Sequence, residues 1–261
     1  MNNPSTVEQL REMRFSSMAN EFEAQIQDPS TYAQVSFEDR FGLLVNAEWN
    51  RRQVNKLVRR VRDAHLDISS ATMEGIEYYE DRKLDKAKMV RFSTCNYIEE
   101  EHHIILKGAT GSGNTYIACA LGCAACRKFK SVRYIRMTEL LDELTIARAE
   151  NMFRKVTKAY SKVDLLILDE WLMRPLTLQQ SYDLFEIVEA RTKHGSTILC
   201  TQYDTNGWYE RINTDPAQDS PISDAIMDRI VHNAYVVSVE STVSMRERHG
   251  LAAHLKGESG K

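Results

Sequence analysis

Residues 108–115 read Gly108-Ala109-Thr110-Gly111-Ser112-Gly113-Asn114-Thr115, a glycine-spaced turn entered from the apolar run Ile104-Ile105-Leu106. Glycines at this spacing let the backbone curl until successive N–H groups converge on an anion. A helix leaving the turn adds the positive end of its dipole. That is chemistry for a phosphate. The spacing is that of the phosphate-binding loop, G-x-x-x-x-G-K-[ST], with Asn114 where lysine is expected. In such loops the lysine reaches the β/γ-phosphates and the Ser/Thr hydroxyl binds Mg²⁺. The cradle assigned here is Gly108, Ala109, Thr110, Gly111, Ser112, Gly113, Asn114, Thr115 and Tyr116, with ATP and Mg²⁺ as the implied ligands. An asparagine amide donates without charge. A charged hydrogen bond contributes about 1.5–3 kcal/mol and a neutral one about 1, so affinity is expected to fall and turnover further. The residues leave open a loop that binds nucleotide without hydrolysing it, and a turn with no ligand.

A second chemistry-bearing stretch is Leu165-Leu166-Ile167-Leu168-Asp169-Glu170, an apolar strand ending in two carboxylates. Ligands of parallel sheets sit beyond the carboxyl ends of the strands. Asp169 suits Mg²⁺, which takes oxygen ligands, together with Thr115. Glu170 suits polarising an attacking water. Gln202, after the next strand, is expected beside the terminal phosphate. Arg229, in Asp224-Ala225-Ile226-Met227-Asp228-Arg229, suits an arginine finger offered to a neighbouring subunit or a plain helix-surface ion pair; Arg246 suits phosphate contact within its own subunit. Cys119, Cys123 and Cys126 have the spacing of an iron–sulfur motif. They fall at i, i+4, i+7 of a helix among small residues, which suits packing, because a cluster needs a loop to wrap it. His102-His103 lacks partners at metal-ligating spacing.

These residues need a scaffold. From residue 93 onward strands and helices alternate, the pattern of a parallel sheet covered on both faces. Strands are expected at 104–107, 132–137, 165–168, 197–201 and 235–240. Helices are expected at 115–129, from a Thr138 cap to about 150, at 151–161, 177–193 and 222–233. Residues 204–220 read as loop with one short helical piece.

The amino-terminal part has a different texture. A helix at 7–27 places Phe15, Met18, Phe22 and Ile26 on one face, and Asp28-Pro29-Ser30 ends it. Ser36 and Asp39 resemble a capping box that opens a long helix with Phe41, Leu44, Val45, Leu57, Val58 and Val61 as its apolar stripe. That helix also carries Arg51, Arg52, Lys56, Arg59, Arg60 and Arg62, with no acid between residues 51 and 62. Arg52, Lys56, Arg59 and Arg60 share a side, a stripe able to track a phosphate backbone without reading bases. The expected division is a helical DNA-binding domain at 1–66, a linker and connecting helix at 67–92 (the helix from Lys83 to Arg91), and an ATPase domain at 93–261.

Composition narrows the class. With 43% hydrophobic and 27% charged residues the 261-residue chain reads as ordinary globular material, and its net charge of −3 does not itself speak for nucleic acid. No apolar run has the length of a membrane span, and Met1-Asn2-Asn3-Pro4 lacks a signal-peptide layout, so no membrane partner is expected. Five cysteines, odd in number and unevenly placed, favour the cytoplasm over a disulfide framework.

In this order and spacing, these motifs resemble the IstB-like transposition helper ATPases of bacterial insertion sequences, relatives of DnaC-type helicase loaders in the AAA+ superfamily. The resemblance runs through the Ala19–Gln27 helix, Asp28-Pro29, 36–40, the Ala47–Arg60 basic helix, the phosphate loop, Leu165–Glu170, Thr201-Gln202, Ser223–Val231 and Ser244-Met245-Arg246. It implies an α/β AAA+ P-loop NTPase domain of three layers behind a small all-α domain. It also implies a homo-oligomer with ATP between subunits, assembly on duplex DNA, and a transposase as partner. A helicase loader and a hydrolysis-deficient architectural DNA binder remain as alternatives. Asn114 departs from the family pattern, and Trp171-Leu172-Met173-Arg174 replaces the small residues expected there, with an altered subunit contact as the expectation.

Overall fold

A computed structural model describes residues 3–192, 194–213 and 221–250. The chain divides into two compact units, Met1–Arg59 and Arg60–Lys261. The elements in order are α1 (Asn3–Glu12), α2 (Ser16–Gln27), α3 (Phe37–Ala64), α4 (Lys86–Ser93), α5 (Asn96–Glu99), β1 (His103–Lys107), α6 (Asn114–Arg127), β2 (Val132–Arg136), α7 (Met137–Ala149), α8 (Phe153–Ser161), β3 (Leu165–Asp169), α9 (Leu178–Arg191), β4 (Ser196–Thr201), α10 (Trp208–Ile212), α11 (Pro221–Val231), β5 (Ala234–Ser238) and α12 (Met245–Arg248).

In the second unit, among the described residues, five strands form one parallel sheet in the order β2-β3-β4-β1-β5. Strands buried on both faces are near-continuous apolar runs, and β1, β3 and β4 are buried along almost their whole length. One face of the sheet, with Ile105, Leu166, Leu168 and Leu199, packs on Leu140, Leu144, Leu184, Ile187, Ile226 and Ile230 of α7, α9 and α11. The opposite face takes α6, where a Cβ on Gly122 would lie 2.8 Å from a Leu66 methyl and 3.0 Å from the tip of Ile167. This is the expected three-layer α/β architecture. Because β4 lies between β1 and β3, the loops leaving those two strands open onto one crevice.

Several boundaries differ from the sequence reading. The first helix is two, because Arg14 takes a left-handed conformation (φ 63°) that breaks the chain between α1 and α2. Thr138 lies inside α7, which starts at Met137 straight from the end of β2 with no side-chain cap. The connecting helix begins later than Lys83, which is itself left-handed (φ 47°); Asp85 caps α4 by accepting from the Lys88 N–H at 3.1 Å. Helices α5 and α12 lie outside the helices expected from the sequence. The expected loop reading at 214–220 and the glycine-containing tail lie outside the described residues.

In the first unit the core is small: Val7, Ala19 and Leu44 are buried, along with the polar Gln25 and Glu48. The Gln25 amide donates to the Arg40 carbonyl at 3.1 Å, tying α2 to α3. The expected apolar stripe of α3 is largely on the surface. Phe41, Val45 and Val58 are exposed and only Leu44 is buried. The start of α3 follows the capping-box expectation in part: the Ser36 hydroxyl accepts from the Asp39 N–H at 3.1 Å and donates to the Asp39 carboxylate at 2.9 Å.

Candidate nucleotide site

The turn after β1 is built by backbone. Gly111 and Gly113 have φ of 83° and 93°, a region L side chains avoid, and a Cβ on Gly113 would lie 2.9 Å from the Arg82 guanidinium. The far end of the sheet holds the turn in register. The Gly108 N–H donates to the Thr201 carbonyl at 2.9 Å, and the Trp171 N–H donates to the neighbouring Cys200 carbonyl at 2.8 Å. The end of β4 thus fastens both the phosphate-loop turn and the turn that follows the acidic pair.

Above this edge opens a cleft of about 320 Å³, lined by Gly108, Ala109, Thr110, Gly111, Gly113, Asn114, Thr115 and Tyr116 of the turn, and across it by Asp169, Glu170, Gln202 and Arg246. Ser112 is buried beneath the turn. The Thr115 hydroxyl donates to the Asp169 carboxylate at 2.7 Å, and the Tyr134 phenol donates to the same oxygen at 2.9 Å. Burial and the facing carboxylate raise the Tyr134 pKa well above that of an ordinary phenol, so it remains a donor. Thr115 and Asp169 are hard oxygen donors brought together, a pair whose chemistry fits Mg²⁺.

Asn114 turns back into its own loop. Its amide N–H donates to the Gly108 carbonyl at 3.3 Å, while its buried Oδ1 has no partner among the described residues. It closes the turn and brings no charge. Glu170 is left-handed (φ 56°), which turns its side chain out of the strand alternation. Its carboxylate lies 3.9 Å from Arg136, whose guanidinium also reaches Asp67 at 3.0 Å and Glu139 at 3.6 Å. Gln202 donates to the Met173 sulfur at 2.9 Å. Arg246 enters the cleft because α12 is pinned to the turn: the Met245 N–H donates to the Gly111 carbonyl at 2.8 Å.

Arg229 lies elsewhere. On α11 its guanidinium pairs with Glu189 of α9, donates to the Ala225 carbonyl at 3.0 Å, and sits over the Phe185 ring. Of the Trp171–Arg174 run, Trp171 and Leu172 are core residues, Trp171 edge-on to Trp208 at 5.5 Å; only Met173 and Arg174 reach the surface. The cysteine stripe packs inside: burial pushes the Cys119 and Cys126 thiols up to about 12. Among the described residues no group of three His, Cys, Asp or Glu side chains is placed to hold a metal. His103 accepts from the Thr197 N–H at 3.1 Å, and burial lowers its pKa to about 4.

The basic stripe of α3 has a counter-ion that the 51–62 window missed. Glu48, one turn earlier and buried, accepts from Arg51 at 2.8 Å, Arg52 at 2.9 Å and the Ser17 N–H at 3.1 Å, and these donors lower its pKa to about 2. Arg52 also lies over the Phe15 ring. Lys56 and Arg59 are exposed and Arg60 is half-buried.

Sequence reasoning also missed Arg82. It is 2% exposed, in the stretch read as linker, and donates to the Ser112 carbonyl at 2.7 Å and to the Glu77 carbonyl. No local pattern marks it, because its partner is 30 residues away.

The profile of the IstB-like ATP binding protein family matches residues 8–253. The chain belongs to this family. IstB-like relatives include a protein of Sinorhizobium fredii named for ATP binding in an insertion sequence, 34% identical over 90% of this chain and 93% of its own. The protein so named in IS1162 of Pseudomonas fluorescens is 36% identical over 76% of this chain and 85% of its own. In fold, this IstB-like chain is similar to the DnaC helicase loader, with a TM-score of 0.53 and 19% identity over 66% of this chain and 97% of that one. No helix among the described residues is long and apolar enough to cross a membrane.

Proposed function

We propose that this protein is the ATP-dependent helper of an insertion-sequence transposase: it binds ATP with Mg²⁺ at the 108–116 turn, assembles on duplex DNA through α3, and prepares target DNA for the transposase. The carrying observation is the Thr115–Asp169 contact at 2.7 Å, in a cleft that Glu170, Gln202 and Arg246 also line. Backbone N–H groups of the turn and the start of α6 orient the phosphates. Thr115 and Asp169 would hold Mg²⁺, which neutralises phosphate charge when bound. Glu170 takes a proton from the attacking water as the bond from the terminal phosphorus to ADP breaks. Arg246 adds positive charge to the same cleft. Arg229, on a different face, is the group we assign to a neighbouring copy's nucleotide, released from Glu189 on assembly. The family relatives named for insertion sequences support the transposition role, and the exposed Lys56 and Arg59 support the DNA contact.

ATP affinity and turnover of the chain as written, compared with Asn114→Lys, test this reading. The unsubstituted chain is expected to bind ATP, and N114K to bind about two- to thirtyfold more tightly, the difference between a neutral and a charged hydrogen bond. Absence of ATP binding in both forms would remove the ATPase assignment. The full chain is also expected to bind duplex DNA with an affinity that falls steeply with salt. Binding to a replicative helicase without binding to duplex DNA would favour the loader alternative.

A further inference from the structure

Arg82 raises a question of charge. Its guanidinium is buried, yet among the described residues no carboxylate lies within ion-pair distance of it. The nearby acids are engaged: Glu77 pairs with His249 at 3.0 Å, and Asp81 with Arg248 at 2.6 Å and the Thr242 hydroxyl at 2.9 Å. Tyr78 and Arg248 are the other titratable groups acting on it, and Arg82 Nε is buried with no acceptor among the described residues. Burial lowers the pKa of this guanidinium, but arginine starts so far above neutrality that it stays cationic. A buried charge held only by carbonyl acceptors and by acids at longer range is costly to bury.

What it touches is the phosphate loop. Nη2 donates to the Ser112 carbonyl at 2.7 Å and lies 2.9 Å from the place a Gly113 side chain would occupy. These two residues immediately precede Asn114, the position that carries no charge. We infer that Arg82 supplies, from beneath the turn, part of the positive charge that residue 114 lacks, and so acts as a positioning and charge-supplying residue for a nucleoside triphosphate. The inference rests on the nucleotide site proposed above. Protein charges act through a low-dielectric interior more strongly than through water, so a guanidinium need not touch the phosphates to favour them.

The plain alternative is that Arg82 is only a strut between the 77–82 segment and the loop. Two variants of the full chain separate the roles: Arg82→Gln keeps an amide donor for the Ser112 carbonyl and loses the charge, and Arg82→Lys keeps the charge. Affinities for ATP, ADP and AMP are measured by fluorescence or calorimetry, in the Asn114 and the N114K backgrounds, with thermal unfolding as the fold control. R82Q is expected to weaken ATP about three- to thirtyfold, AMP much less, and ATP in the N114K background by less than about twofold, because a lysine there restores the charge. R82K is expected to stay within about twofold of the unsubstituted chain for ATP. Equal losses for ATP and AMP, equal losses in both backgrounds, or an R82K that falls as far as R82Q would each overturn the inference. ATP binding that is indifferent to R82Q overturns it while leaving the nucleotide site intact. No ATP binding in any form removes the site and this inference together.

Discussion

The cleft at the sheet edge and the basic face of α3 both present chemistry for phosphates, and they are built in opposite ways. In the cleft the donors are largely backbone, held by positive-φ glycines and by the end of β4, and the side chains that matter are fixed by buried partners: Thr115 and Tyr134 converge on Asp169, and Arg82 on Ser112. On α3 the groups are long cationic side chains at the surface, and two of them, Arg51 and Arg52, are already engaged by Glu48. The first arrangement is preorganised and suits one ligand in one pose. The second is adaptable and suits a uniform polyanion, whose contacts are additive and screened by salt. A single change in the cleft should therefore abolish a function, whereas a single change on α3 should only weaken one.

Glu170 has the most to lose. Glu170→Gln should leave ATP affinity near its starting value and lower single-turnover hydrolysis about 10²–10⁴-fold, while prolonging DNA-bound complexes. Hydrolysis and dissociation that are both unchanged would break the contrast, because the cleft would then lack its base.

A middle-sized effect belongs to the join beneath the basic face. Glu48→Gln replaces a carboxylate that accepts from two arginines and a backbone N–H, and should cost about 1–3 kcal/mol of unfolding free energy. The sign with pH follows from the lowered pKa. The stabilisation is complete above the ordinary value of 4.5 and fades as pH falls toward about 2. Acid unfolding of E48Q should lose that dependence; identical acid profiles would show that the carboxylate is not holding α2 and α3 together.

Arg59→Ala should reduce the salt slope of duplex binding by about one. Arg52→Ala should reduce it less, because its charge is already shared with Glu48. Equal slopes for the two variants would mean that Glu48 releases Arg52 on DNA.

Much of the second unit was legible in the sequence. Apolar runs bounded by turn residues located all five strands to within a few residues, and glycine spacing located the turn whose Thr115 meets Asp169. The first unit was less legible. Arg14 breaks a helix with no glycine or proline to announce it, and the periodicity of Phe41, Val45 and Val58 suggested a core face that is largely exposed. Glu48 was within reach of i+3 and i+4 arithmetic, but it lies outside a window drawn around the basic residues alone.

The contiguous order of residues determined the phosphate-loop turn, its missing lysine and the acidic strand end, because backbone conformation over a few residues depends on those residues and their neighbours. Only the tertiary structure decided which charges meet: Arg82 under the turn, Arg136 among three carboxylates, Arg229 on Glu189, and Tyr134 on Asp169. The partners of a long side chain are chosen by whichever segments the packed sheet and helices bring within a few ångströms, and separation along the chain carries no record of that choice.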